Sequence, residues 1–209
     1  MILKRLEILN YKNIGETSVE FSPNVNCFVG QNGQGKTNLL EAVSYLSSLK
    51  TIKAKQDNEL IKWGEDISLI KGTFTKNDSE TSLEIVINPP KKKILKVNEI
   101  KKNKTSEYLS NIYSVCFSAN DLNLVRGNPD DRRSWLDSAV ASLYPAHADR
   151  VAKYNKIRTQ KNNFLKSLGG NLNADRTLLD VWNEQLAVSG SNIILLRLNF
   201  LKELLKYAK

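Results

Sequence analysis

Cysteine and histidine are scarce in this chain of 209 residues. It has two cysteines, Cys27 and Cys116, and one histidine, His147. A single histidine leaves no zinc-type cluster. Both cysteines stand in strand-like apolar segments, which predicts reduced thiols in a core rather than a disulfide framework. No apolar run approaches the length of a membrane span, and the opening residues Lys4, Arg5 and Glu7 put charge where a signal peptide needs an apolar stretch. Membrane insertion and secretion are therefore not expected, and a cytoplasmic location is. Acidic residues are also in deficit, with 22 Asp and Glu against 31 Lys and Arg, a formal charge of +9. That excess favours a polyanionic partner, nucleic acid ahead of membrane.

What is present is one strong motif. Gly30, Gln31, Asn32, Gly33, Gln34, Gly35, Lys36 and Thr37 satisfy every fixed position of the phosphate-loop pattern G-x-x-x-x-G-K-[ST]. Glycines let the backbone turn successive N–H groups toward phosphates, and a helix starting near Lys36 adds its positive end. Lys36 would reach the β- and γ-phosphates as a point charge. The Thr37 hydroxyl would ligate a magnesium ion that keeps most of its waters. Strand-like residues 18–21 and 25–29 lead into the loop, and residues 38–46 have helical apolar spacing.

Up to about residue 125, short β-rich runs surround one clear helix. Residues 2–9 and 17–21 read as one hairpin, 67–74 and 81–87 as another, 94–97 as a further strand, and 112–117 as a buried strand. From Pro129 the strand signal disappears. Gly127 or Asn128 caps a helix with Pro129 in its first turn and Asp130 and Asp131 near its positive end. That helix is expected to run to 143, a second from 148 to a stop at Gly169 and Gly170, and a third from Asp175 to about 207. His147 falls in the connection between the first two. The last helix is apolar on so many sides that several partners are needed to bury it. Residues 91–104 hold seven lysines in fourteen residues, with alternating apolar positions. They read as a basic hairpin in which Lys91, Lys92, Lys93, Lys101, Lys102 and Lys104 are candidates for salt-sensitive phosphate contacts with DNA, or else form a solvated edge that blocks strand pairing. A second basic segment, Arg150, Lys153, Lys156, Arg158, Lys161 and Lys166, spreads over the second helix.

Three stretches together resemble the RecF family of bacterial recombination mediators. They are the loop followed by Asn38, the opening residues Leu6 to Asn13, and the block from Val125 through Gly127, Pro129, Arg132, Arg133, Ser134 and Trp135 to Asp137. The segments 58–64 and 115–122 are similar as well. Trp135 and Ser134 depart from the family's usual Phe and Arg. The resemblance implies an α/β fold, an ABC-type P-loop ATPase head of mixed sheet around the loop helix, with an α-helical arm. The head's amino-terminal lobe would occupy 1–127 and the arm 128–209. It further implies ATP and Mg2+ as ligands, with Lys12 and Asn13 joining Asn38 at the nucleotide. ATP-dependent homodimerisation, DNA at gaps or single/double-strand junctions, and action with RecO and RecR to load a recombinase are also implied. Neither an apolar strand ending in Asp-Glu nor a Ser-Gly-Gln-like signature follows the loop, so the chain is expected to be an amino-terminal piece ending within the arm. No catalytic residue is assigned to it, and it should bind ATP but hydrolyse it poorly. An SMC-like chromosome-organising head and a P-loop phosphotransferase are the alternatives.

Overall fold

The computed structural model describes residues 1–51, 54, 56–77, 79–168 and 177–208, and divides the chain into two compact units, Met1–Asp121 and Leu122–Lys209. The division falls just ahead of the expected 127/128 boundary, so the short helix before Gly127 belongs to the second unit.

In the first unit, β1 (Ile2–Tyr11), β2 (Ile14–Glu20), β3 (Ser68–Lys76), β4 (Ser79–Ile87), β5 (Ile94–Val97) and β6 (Ile100–Lys102) form one antiparallel sheet in the order β2-β1-β3-β4-β5-β6. Alternation sets its buried face, because successive side chains of a strand point to opposite sides. Ile8 faces Ile70, Ile70 faces Ile85, and Ile85 faces Leu95, giving one continuous apolar row across four strands. The next row is Leu6, Gly72, Leu83 and Val97. The glycine there has a packing reason: a Cβ at position 72 would lie 2.7 Å from Leu46 Cδ1 of the helix covering the sheet. That helix, α1 (Lys36–Ser48), buries Leu39, Ala42, Tyr45 and Leu46, which follow helical spacing onto one side. The basic segment closes as the β5–β6 hairpin through Asn98 (φ 48°) and Glu99 (φ 66°), a two-residue turn with both residues left-handed. A short helix, α2 (Thr105–Leu109), follows it.

Two expected strands are absent. Residues 25–29 and 112–117 take no regular secondary structure, and Val29 and Val115 are 90% and 100% exposed. β-branched and aromatic residues favour an extended chain, but only pairing with a neighbour makes it a strand. Cys27 and Cys116, expected in the core, are exposed for the same reason.

The second unit holds α3 (Asn123–Arg126), α4 (Pro129–Leu143), α5 (Ala146–Ser167) and α6 (Thr177–Leu204). The start of α4 follows the expected chemistry, with Pro129 as its first residue and the Asn128 N–H donating to Asp131 Oδ2 at 2.8 Å. His147 is not in a connection: it lies in the first turn of α5 and is fully buried. The stop expected at Gly169 and Gly170 and the start at Asp175 lie outside the described residues. On α6 only Ile193 is buried, while Ile194, Leu195 and Leu198 are each more than half exposed.

Candidate nucleotide-binding site

Residues 30–35 form an irregular loop that enters α1 directly at Lys36. Gly33 (φ 82°) and Gly35 (φ 94°) hold left-handed backbone that a side chain would strain. Gly30, Gln31, Asn32, Gly33 and Gln34 are exposed. At the helix start Gly35 O accepts the first intrahelical bond, from Leu39 N–H at 2.8 Å. The N–H groups of Lys36, Thr37 and Asn38 therefore point out of the helix end with no intrahelical acceptor, as the first turn of any helix requires. The Lys36 ammonium crosses the loop, donating to Gly30 O at 2.7 Å and Gln31 O at 2.6 Å. The loop thus carries its own cation, flanked by backbone donors, an arrangement suited to a polyphosphate.

Thr37 is exposed in the first turn of α1, and its hydroxyl makes no hydrogen bond among the described residues. A hydroxyl free at a phosphate cradle fits one oxygen ligand of a hydrated magnesium ion, which would neutralise phosphate charge. Among the described residues no group of three or more His, Cys, Asp or Glu is placed to hold a metal.

Lys12 and Asn13 make the two-residue turn between β1 and β2. Asn13 reaches the loop, with Nδ2 donating to Gly33 O at 2.9 Å and Oδ1 accepting from Asn38 Nδ2 at 2.7 Å. Lys12 is brought elsewhere: its ammonium pairs with the carboxylate of Glu41, a buried residue of α1. Beside this pair the buried Tyr11 hydroxyl has no hydrogen-bond partner, and burial, with Glu41 and Tyr45 adding to it, pushes its phenol pKa far up so that it stays neutral.

The six candidate DNA lysines separate. Lys91, Lys92, Lys101 and Lys104 are exposed and Lys102 is half-buried. Lys93 is engaged by Asp57 Oδ1 at 2.9 Å and Tyr45 OH at 2.9 Å. Burial acts to lower its pKa, but these two partners outweigh it and the net shift is upward.

One cluster could not be foreseen from spacing. Asp137 of α4 receives Arg197 of α6 in a two-point grip, Nε to Oδ1 at 2.8 Å and an Nη to Oδ2 at 2.7 Å. Its Oδ1 also meets Nε2 of the buried His147 at 2.8 Å. Burial would raise the Asp137 pKa, yet His147 and Arg197 together hold it down at about 2. Asp137 closes the Gly-x-Pro-x-x-Arg-Arg block, so the block itself was a signal, although its partners lie 10 and 60 residues away. The arginines of that block stay local, with Arg133 on Asp130 and Arg132 donating to Gly127 O at 3.0 Å.

Residues 2–124 match the family described as the RecF/RecN/SMC N terminal domain. Over its whole length the chain is 38% identical to the DNA replication and repair protein RecF of Bacillus thuringiensis (strain Al Hakam), and equally to that of Bacillus anthracis (strain CDC 684 / NRRL 3495). It spans about half of these curated relatives, 55% of their length. A solved structure of the recombination mediator RecF with ATP, from the RecFOR pathway, superposes with a TM-score of 0.88 at 30% identity, covering 97% of this chain and 54% of that one. An SMC ATPase structure matches at a TM-score of 0.53 and 18% identity over 66% of this chain and 99% of that one, a likeness of fold alone. No helix among the described residues is long and apolar enough to cross a membrane. The loop geometry, the sheet under α1 and these likenesses agree: the chain belongs to the RecF/RecN/SMC N terminal domain family, stands with the RecF proteins in it, and has the fold of their ABC-type ATPase heads.

Proposed function

We propose that this chain grips ATP in the loop from Gly30 to Thr37 and serves a RecF-type DNA replication, repair and recombination mediator. The observation that carries the reading is the cradle itself, with Lys36 lying across a glycine loop whose following N–H groups open outward. The likeness to RecF solved with ATP supports it. In this reading Lys36 turns from Gly30 O and Gln31 O to the β- and γ-phosphates, and Thr37 holds the magnesium ion. The first unit serves as the amino-terminal lobe of the head and the second as the arm.

The nucleotide would act as a switch for homodimerisation in the cytoplasm. DNA gaps or single/double-strand junctions would be the target, and RecO and RecR the partners in loading a recombinase during repair and the SOS response. Exposed Lys91, Lys92, Lys101 and Lys104 are the contacts offered to DNA phosphates. The protein as a whole would be a slow DNA-dependent ATPase, while these 209 residues carry no apolar-Asp-Glu strand and so should bind without efficient turnover. The SMC-type reading has the shared fold in its favour, and heptads sustained beyond Lys209 would speak for it.

The test is Lys36→Ala, titrated with ATP by calorimetry. Affinity should fall by at least about 10-fold, since a charge-assisted hydrogen bond to phosphate is removed, with the unfolding midpoint unchanged. Wild-type affinity in that variant would remove the loop from the function.

A further inference from the structure

The β1–β2 turn holds the phosphate loop and its helix at two points. At the first, Asn13 Nδ2 donates to Gly33 O at 2.9 Å and its Oδ1 accepts from Asn38 at 2.7 Å. At the second, Lys12 pairs with buried Glu41. Asn38 and Glu41 are three residues apart and so share one face of α1. The turn is anchored in its own right: Lys12 is left-handed (φ 53°), its N–H donates to Leu60 O at 2.9 Å, and Asn10 O accepts from Lys62 N–H at 2.9 Å. The fit against the loop is tight, because a Cβ at Gly35 would lie 3.0 Å from Asn13 Oδ1.

A flexible loop that aims several N–H groups at one polyphosphate must lose backbone freedom on binding, about 1–2 kcal/mol per residue fixed. A loop already clamped does not. Lys12, for its part, would have to abandon a buried carboxylate to reach a phosphate, leaving Glu41 without that cation in a poorly solvated place. We infer that Lys12 and Asn13 are positioning residues: they preset the phosphate loop and the first turns of α1, and act on the nucleotide only through Gly33, Asn38 and Glu41. The inference rests on the nucleotide reading above.

The experiment is a pair of double-mutant cycles on the intact protein, titrated with Mg-ATP and with Mg-ADP, each variant also being unfolded thermally without nucleotide. One cycle is Lys12→Ala with Glu41→Gln, and the other Asn13→Ala with Asn38→Ala. Each single change should weaken both nucleotides alike, by about 10-fold, and each double should be no weaker than its worse single, because the two partners form one device. Additive losses would overturn the inference. So would a Lys12→Ala defect larger for ATP than for ADP beside a silent Glu41→Gln, since that pattern belongs to a lysine touching the γ-phosphate. If Lys12→Ala does not fold, Lys12→Met combined with Glu41→Leu replaces the ion pair by an apolar contact. Retained ATP affinity there supports the clamp, and lost affinity with an unchanged unfolding midpoint refutes it. Failure of the underlying reading looks different: the wild-type protein would bind neither nucleotide, or bind both regardless of Lys36, and the inference would fall with it.

Discussion

The two units are held together by different physics. Met1–Asp121 has apolar rows in fixed register, in which Leu6, Ile70, Leu83 and Ile85 are wholly shielded from solvent. Among the described residues of Leu122–Lys209 the buried apolar side chains are Val140, Ala141, Ile157 and Ile193, and the three long helices are tied at a point by Asp137, His147 and Arg197. Apolar rows are strong but undirected, and take their specificity from strand register. A partly buried charge node of this kind adds little net stability, yet it is directional, and removing one member leaves the others less well compensated. The sheet unit should therefore be sensitive to lost volume and the helical unit to lost charge.

The largest effect should come from Leu83→Ala, which removes a fully buried side chain between Gly72 and Val97 and should cost about 3–4 kcal/mol in denaturant unfolding. Leu198→Ala on the exposed side of α6 should stay within about 0.5 kcal/mol. Equal costs would erase the contrast.

Asp137→Ala should come next, at about 2–4 kcal/mol, felt in the helical unit. The same node sets an acid limit. The Asp137 carboxyl has a pKa near 3.8 when unfolded and about 2 when folded, so its contribution is whole above about pH 4 and is lost as pH falls toward 2. Fluorescence of Trp182, which stacks edge-on against Phe164 at 5.3 Å, would follow that loss. An acid transition unchanged in Asp137→Ala would show that the node is not its cause.

The smallest effect concerns which unit would meet nucleic acid under the proposed function. Neutralising Lys91, Lys92, Lys101 and Lys104 should lower the slope of log affinity against log salt, by about 0.9 for each duplex phosphate that a lysine no longer neutralises. Lys93→Ala should leave the slope alone and cost stability, because Lys93 serves Asp57 and Tyr45. A larger drop from neutralising Arg150, Lys153, Lys156 and Arg158 on α5 would move the nucleic-acid role to the helical unit.

Local chemistry was legible in the sequence where it was self-sufficient. The phosphate loop, the alternation that builds β1, β3 and β4, and the Asn128-Pro129 helix start each depend on residues within a few positions of one another. Residues 25–29 and 112–117 misled because their composition reports a tendency to be extended and says nothing of a partner strand. Lys93 looked like its neighbours in the lysine run, and only the fold puts Asp57 and the Tyr45 ring beside it. His147 looked like a linker residue because nothing nearby in sequence explains its burial.

By itself, the amino-acid sequence determined the chemistry on offer: a phosphate cradle, an excess of cations, and a change from strands to helices near Pro129. Tertiary structure decided which of those groups are free to use it. It placed Lys36 across the open loop, gave Lys12 to Glu41 and Lys93 to Asp57, and set half-buried Asp137 between His147 and Arg197. The physical reason is that a charge's availability is set by what surrounds it in space, and the partners of Lys12, Lys93 and Asp137 stand between 10 and 60 residues away along the chain.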